Sequence, residues 1–170
     1  FYTSNIPVIL AAALLANMQL VATMTAGPTA DNPLVSCGIM GCFDNSEGQS
    51  IPLNGPIYYL SAPRENVLLD IFNGVFTTNL LIRVITYTLF LTVGCIIFAI
   101  FWVNTSGMDA QSVADNITGT GLQIPGYRQN PKIIKSVLDR YIPPLTVIGG
   151  GTIGVLAALA DFTGAFGTGT

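Results

Sequence analysis

The chain has 170 residues, of which 51% are hydrophobic and only 9% charged, with nine acids, six bases, a net charge of −3 and no histidine. Soluble domains carry about 25% charged residues, so a mean hydropathy of +0.61 argues against a water-facing globule, and the acidic balance argues against a surface built for nucleic acid. Without histidine, His-based catalytic triads and HExxH metal sites are excluded.

The chain opens on Phe1-Tyr2 with no methionine and closes on Gly167-Thr168-Gly169-Thr170, and is read as a piece of a longer protein. Its first element is an uncharged stretch from Ile6 to Met24, about 28 Å long as a helix and close to the hydrocarbon thickness of a bilayer. A basic amino-terminal region and a shorter apolar core, which a cleaved signal peptide would need, are both missing. Residues 1–25 are therefore expected to form a membrane helix, with Pro7 near its start. Asn17 and Gln19 are costly toward lipid and are expected to face protein or a water-filled path.

Residues 26–82 form a long polar connection. Pro28, Pro33, Pro52, Pro56 and Pro63, with five interspersed glycines, predict folded but irregular structure. Cys37 and Cys42 are spaced to close a small disulfide if the compartment is oxidising; as a metal site they are two ligands short. Val67, Leu68, Ile71, Phe72, Val75 and Phe76 recur at helical spacing, which predicts an amphipathic helix near 65–76 at the membrane interface.

A second span is expected over 83–103, where Val84 to Val103 carries no charge and Trp102 suits an interfacial position. Cys95 within it reads as a packed apolar residue. The connection 104–142 carries Arg128, Lys132, Lys135 and Arg140, whereas 26–82 carries only Arg64, with Arg83 at the membrane edge. By the positive-inside rule 104–142 is cytoplasmic and 26–82 external. The tripeptides Asn104-Thr105-Ser106 and Asn116-Ile117-Thr118 oppose this as glycosylation acceptors, since they would be used only if exported. Within 104–142, Asn130 as N-cap and Pro131 at the first helical position predict a short basic helix over 132–140, with Ile133, Ile134, Val137 and Leu138 on one face.

The third span is expected over 143–161, closed by Asp161 at the membrane edge, and 162–170 then lies outside. Gly149-Gly150-Gly151-Thr152-Ile153-Gly154 matches G-x-G-x-x-G after an apolar run. A dinucleotide site needs a further strand and an acid about 20 positions on, and only sixteen residues remain. Gly150-x-x-x-Gly154 is read instead as a close-packing site between membrane helices. The expected fold is an all-α membrane protein of three spans, with no enzymatic activity, cofactor or metal.

Three phrases carry a resemblance: Tyr2-Thr-Ser-Asn-Ile-Pro-Val-Ile-Leu-Ala11, Ile124-Pro-Gly-Tyr-Arg128 and Arg140-Tyr-Ile-Pro-Pro-Leu-Thr-Val147. In order and with spans between them, they resemble the archaeal form of SecY, the central subunit of the protein-conducting Sec channel. The likeness covers the seventh to ninth of that family's ten membrane helices. It implies that helix 1–25 is a wall of the lateral gate, bearing Ile6, Pro7, Asn17 and Gln19, with the two amides placed at the seam by our inference. It implies that Ile9 joins the apolar pore ring and that Arg128, Lys132, Lys135 and Arg140 dock the ribosome, or in bacteria a motor ATPase. The implied partners are small single-span Sec subunits, the translating ribosome, signal sequences and nascent chains, and lipid, in the cell membrane. An ion-coupled solute transporter is the alternative, but it would need ionisable groups mid-span.

Overall fold

The computed structural model describes residues 5–28, 34–46, 50–63, 67, 72–74, 77–121 and 131–163. Three helices are long and apolar enough to cross a membrane, as the hydropathy predicts. They are α1 (Ile6–Thr25), α3 (Thr78–Thr105) and α5 (Pro131–Phe162); the short helices α2 (Pro56–Leu60) and α4 (Ala110–Gly119) lie in the connections. The chain gathers into two compact units, one of Phe1–Leu10 with Thr92–Gly154, the other of Ala11–Leu91 with Val155–Thr170.

Many polar side chains of the spans bond within their own helix, although Thr92 Oγ1, buried on α3, has no partner. Threonine hydroxyls turn back onto carbonyls of the preceding turn, as Thr25 does to Val21 at 2.9 Å, Thr88 to Val84 at 2.8 Å and Thr152 to Ile148 at 2.9 Å. That bond removes the cost of a free hydroxyl in an apolar medium. Outward-facing Ile85, Leu89, Val93, Ile97 and Phe101 on α3 are all exposed, an apolar stripe that suits lipid rather than water.

Two helices are longer than their apolar runs. α3 begins at Thr78 and ends at Thr105, outside the 83–103 expected, because polar residues at both ends extend an existing helix at little cost. α5 joins the expected basic helix 132–140 and the third span into one. Pro143 and Pro144 leave the Asp139 and Arg140 carbonyls without their usual donors, but both of those residues are exposed and water can serve them. Thr146 Oγ1 caps the Ile142 carbonyl at 2.8 Å. Asn130 lies outside the described residues, as does most of 65–76, where Val67 is buried and Phe72 exposed.

In the second unit the connection after α1 is not irregular. Its strands β1 (Gly27–Pro28), β2 (Val35–Gly38), β3 (Gly41–Asp44) and β4 (Ile51–Asn54) form an antiparallel sheet in chain order. Strands of two to four residues are too short for alternation to be read from sequence. Pro28 and Pro52 fall on the two edge strands, where a missing N–H costs no internal ladder bond. Cys37 and Cys42 are cross-strand partners with Cα atoms 4.0 Å apart, and are disulfide-bonded. A Cβ on Gly41, which sits at φ 145°, would collide with the Asn54 carbonyl oxygen, so only glycine fits there. Phe43 and Ile57 are buried against Ala22, with Met18, Ala26 and Met40 around them. Burying Phe43 contributes about 1.5–3 kcal/mol and fastens the sheet to the last turns of α1.

In the first unit, Val103, Ala110 and Ile142 form a small core with Leu138. The buried face of the basic segment is thus Ile134, Leu138 and Ile142, at i, i+4 and i+8, while Ile133 is exposed. Here the glycine run lies inside α5. A Cβ on Gly150 would stand 2.9 Å from Ala99 Cβ and 3.1 Å from the Cys95 carbonyl oxygen, and one on Gly154 would stand 2.9 Å from Thr92 Cα. These glycines let two helices approach to backbone contact, and a helix interior offers no strand-to-helix turn for a pyrophosphate.

Replacing Gly154 with Ala should destabilise the protein by about 1–3 kcal/mol, because Thr92 backbone cannot yield. Gly151→Ala, whose Cβ would meet only the Ile96 side chain at 3.7 Å, should be near neutral. Thermal unfolding of the two variants in detergent measures the contrast.

Candidate gate and docking surfaces

Near the start of α1, Pro7 is fully buried and Ile9 is 63% exposed, with Ile6 between these extremes. Ala11, Leu15 and Ala22 make the buried stripe of the remaining helix, with Met18 against it. Asn17 is exposed and Gln19 half-buried. Two positions along a helix are about 200° apart, so no single seam of α1 carries both amides.

The basic surface is the amino-terminal third of α5. Lys132 and Arg140 are exposed and Lys135 is half-buried, the three spread over an arc of about 140°. Lys135 lines an open depression of about 290 Å³ together with Asn104, Asp109, Gln111 and Asp139. A hydrogen bond from Ser112 holds the Asp109 carboxyl below its ordinary range. Lys135 therefore faces carboxylates that offset it, whereas Lys132 and Arg140 remain open to an anionic partner. Arg128 and its Pro125-Gly126-Tyr127 lead lie outside the described residues.

Two anchors were not legible in the sequence. Arg83, noted there as a base at the membrane edge, donates from Nη2 to Ser61 Oγ at 3.1 Å and to the Ala62 carbonyl at 3.3 Å, and its guanidinium lies 4.2 Å over the Tyr58 ring. This cation–π contact ties α2 to the first turns of α3. Tyr87, buried on α3, donates its hydroxyl to Asp161 Oδ2 at 2.6 Å, and its ring lies 5.8 Å from that of Phe162. Asp161 is thus the acceptor in an interhelical bond, more than a boundary charge. The partners are 22 and 74 residues apart, beyond the reach of any local spacing. Among the described residues no three Cys, Asp or Glu side chains converge to hold a metal ion.

Apolar helices of span length, a glycine seam between two of them and a basic helical extension define a multi-pass membrane protein. The SecY family profile matches residues 1–170, and the chain belongs to the SecY family. It is 42% identical to protein translocase subunit SecY of Methanococcus vannielii over 99% of this chain and 34% of that protein. Against the alpha subunit of protein transport protein Sec61 from Dictyostelium discoideum it is 37% identical, over 100% of this chain and 34% of that one. A solved structure described as that of a protein conducting channel is similar at a TM-score of 0.68 and 38% identity, covering 95% of this chain and 33% of the other. The chain spans about a third of the relatives it matches.

Tyr87→Phe should cost about 0.6–1.7 kcal/mol, the range for interhelical hydrogen bonds in membrane proteins, while leaving the ring contact with Phe162. Comparing unfolding midpoints of wild type and Y87F in detergent gives the figure.

Proposed function

We propose that this chain is part of the pore subunit of the Sec translocation channel in the cell membrane, which passes secretory proteins across and releases membrane segments sideways into lipid. The observation that carries the reading is agreement with the SecY family over residues 1–170, joined to the likeness to a protein conducting channel. On this reading no catalytic step is involved, and the driving force comes from a translating ribosome or another motor, with small single-span subunits alongside. α1 is a wall of the lateral gate, and Ile6 and Pro7 fix its entry. Asn17 and Gln19 serve it from different faces, one amide at the seam and the other toward protein. Ile9 belongs to the pore ring, where an apolar side chain seals against ions by dewetting yet binds no passing sequence tightly; its exposure in this chain supports that role. Residues 104–142 face the cytoplasm, with Arg128, Lys132, Lys135 and Arg140 toward ribosomal RNA phosphate, and 26–82 faces outward, which suits the Cys37–Cys42 disulfide.

The solute-transporter alternative has no support in the comparisons. It needs ionisable groups mid-span, whereas Arg83 lies near the start of α3 and Asp161 one residue before the end of α5.

Ile9→Asn should hydrate the constriction and raise ion conductance through the resting channel in planar bilayers; an unchanged leak, with unchanged signal-sequence stringency, would remove Ile9 from the ring. Arg128→Glu in the full-length subunit should weaken ribosome association at physiological salt without affecting membrane insertion. Lys132→Ala with Arg140→Ala should lower the salt slope of binding by about 2, roughly 1 for each phosphate no longer neutralised.

A further inference from the structure

In the second unit, residues 38–41 are where separate elements meet. A Cβ on Gly38 would stand 3.0 Å from both the Ala26 Cα and the Thr25 carbonyl oxygen, and one on Gly55 would stand 2.6 Å from the Gly41 Cα. Met40 packs on the Ala22, Phe43 and Ile57 cluster, and its carbonyl accepts the Ile57 N–H at 3.4 Å. The turn of the β2–β3 hairpin is thus wedged between the last turn of α1 and the start of α2. Its own chemistry does little to keep it there. Gly38 and Gly41 are cross-strand partners, which leaves Ile39 and Met40 as a two-residue turn where Asn, Asp and Gly are the usual occupants. On the other side, β3 meets β4 through a register irregularity between Cys42 and Phe43.

Two ties close the hairpin, one at each end. At the open end Asn45 donates from its side chain to Ser36 Oγ and from its backbone to the Leu34 carbonyl, both at 2.9 Å. At the turn end stands the Cys37–Cys42 disulfide, directly behind the two glycines. A covalent closure of so short a loop suppresses its local opening, so this bond keeps Gly38 and Met40 against α1. We propose that the Cys37–Cys42 bond is a redox-sensitive clasp on the end of α1: a dithiol reductant that opens it frees the turn from α1 and α2, and with α1 as a wall of the lateral gate, this shifts the gate toward opening. The second half rests on the channel reading above. In the step, one thiolate of the dithiol attacks a sulfur of the pair and its second thiolate displaces the mixed disulfide. Two electrons and two protons pass to Cys37 and Cys42, which become thiols, and the dithiol ends as a cyclic disulfide. An oxidised disulfide takes them back and restores the bond. Release stays local, because Asn45 still closes the open end and Arg83 still holds Ser61 and Ala62.

The test uses the intact subunit in lipid vesicles, read as oxidised, after dithiothreitol, and after reoxidation with oxidised glutathione, with thiol labelling and peptide mass mapping to report the state of Cys37 and Cys42. Backbone hydrogen exchange and ion leak are measured in each state. Reduction should speed exchange of the Ala26 and Ile57 amides by about tenfold or more, leave α5 between Thr146 and Gly154 unchanged, and raise the leak several-fold, with both effects reversed on reoxidation. Dithiothreitol should do neither in the double variant Cys37→Ser with Cys42→Ser, which should behave as the reduced protein; if that variant does not fold, the reversible cycle in the wild type decides. A bond that dithiothreitol leaves intact, or unchanged exchange after complete reduction, would overturn the clasp. Faster exchange with an unchanged leak would overturn its hold on the gate, and a leak that Ile9→Asn still raises separates that failure from failure of the channel reading.

Discussion

Inside hydrocarbon a peptide group or a hydroxyl finds no water, so each span of this chain has to satisfy its polar atoms from within the protein. That constraint accounts for the threonines of α1, α3 and α5 that bond back to their own helices, and for the polar atoms that join separate elements. Tyr87 meets Asp161 at 2.6 Å, and Arg83 is held by Ser61, Ala62 and the face of Tyr58. It also explains why close approach between α3 and α5 falls on glycine. With no hydrophobic force between helices in lipid, attraction comes from contact between backbones, which Gly150 and Gly154 permit.

Outside the spans, water restores the hydrophobic effect and the chain builds small cores. One fixes the sheet to the end of α1 through Phe43, Ile57 and Ala22; another holds α4 against α3 and α5 through Ala110, Val103 and Ile142. The second core lies beside the basic surface. Ile142 lies in that core with Leu138 packed on it, Ile134 is buried as well, and Lys132 and Arg140 are exposed, while Lys135 lines one depression with Asp109 and Asp139. Bases on the extension of a membrane helix differ from bases on a loop. Their spacing is set by the helix that carries them.

Much of the membrane architecture was legible in the residues. Uninterrupted apolar runs mark the three spans, and most of the bases fall in the stretch that leads into the third. The phrases around Pro7, Arg128 and Pro143-Pro144 carry the family, and Gly150-x-x-x-Gly154 pointed to packing rather than to a nucleotide. Other features were hidden for physical reasons. Four-residue strands with prolines on their edges look like loop, because their stability lies in pairing. The continuity of α5 through two prolines looks like a boundary, because the sequence does not show that the Asp139 and Arg140 carbonyls are exposed. At Asn17 and Gln19 the polarity was plain, but the helical angle between them divides the two amides between faces.

The sequence by itself determined that this chain carries three stretches apolar enough to cross a membrane and to which family it belongs, since these follow from hydropathy and local wording. Only the tertiary structure decided which distant residues answer one another: Arg83 with Tyr58, Tyr87 with Asp161, Gly154 with Thr92. Periodicity reads a few residues to either side, whereas these contacts exist only after the chain has returned on itself, across separations of up to 74 residues.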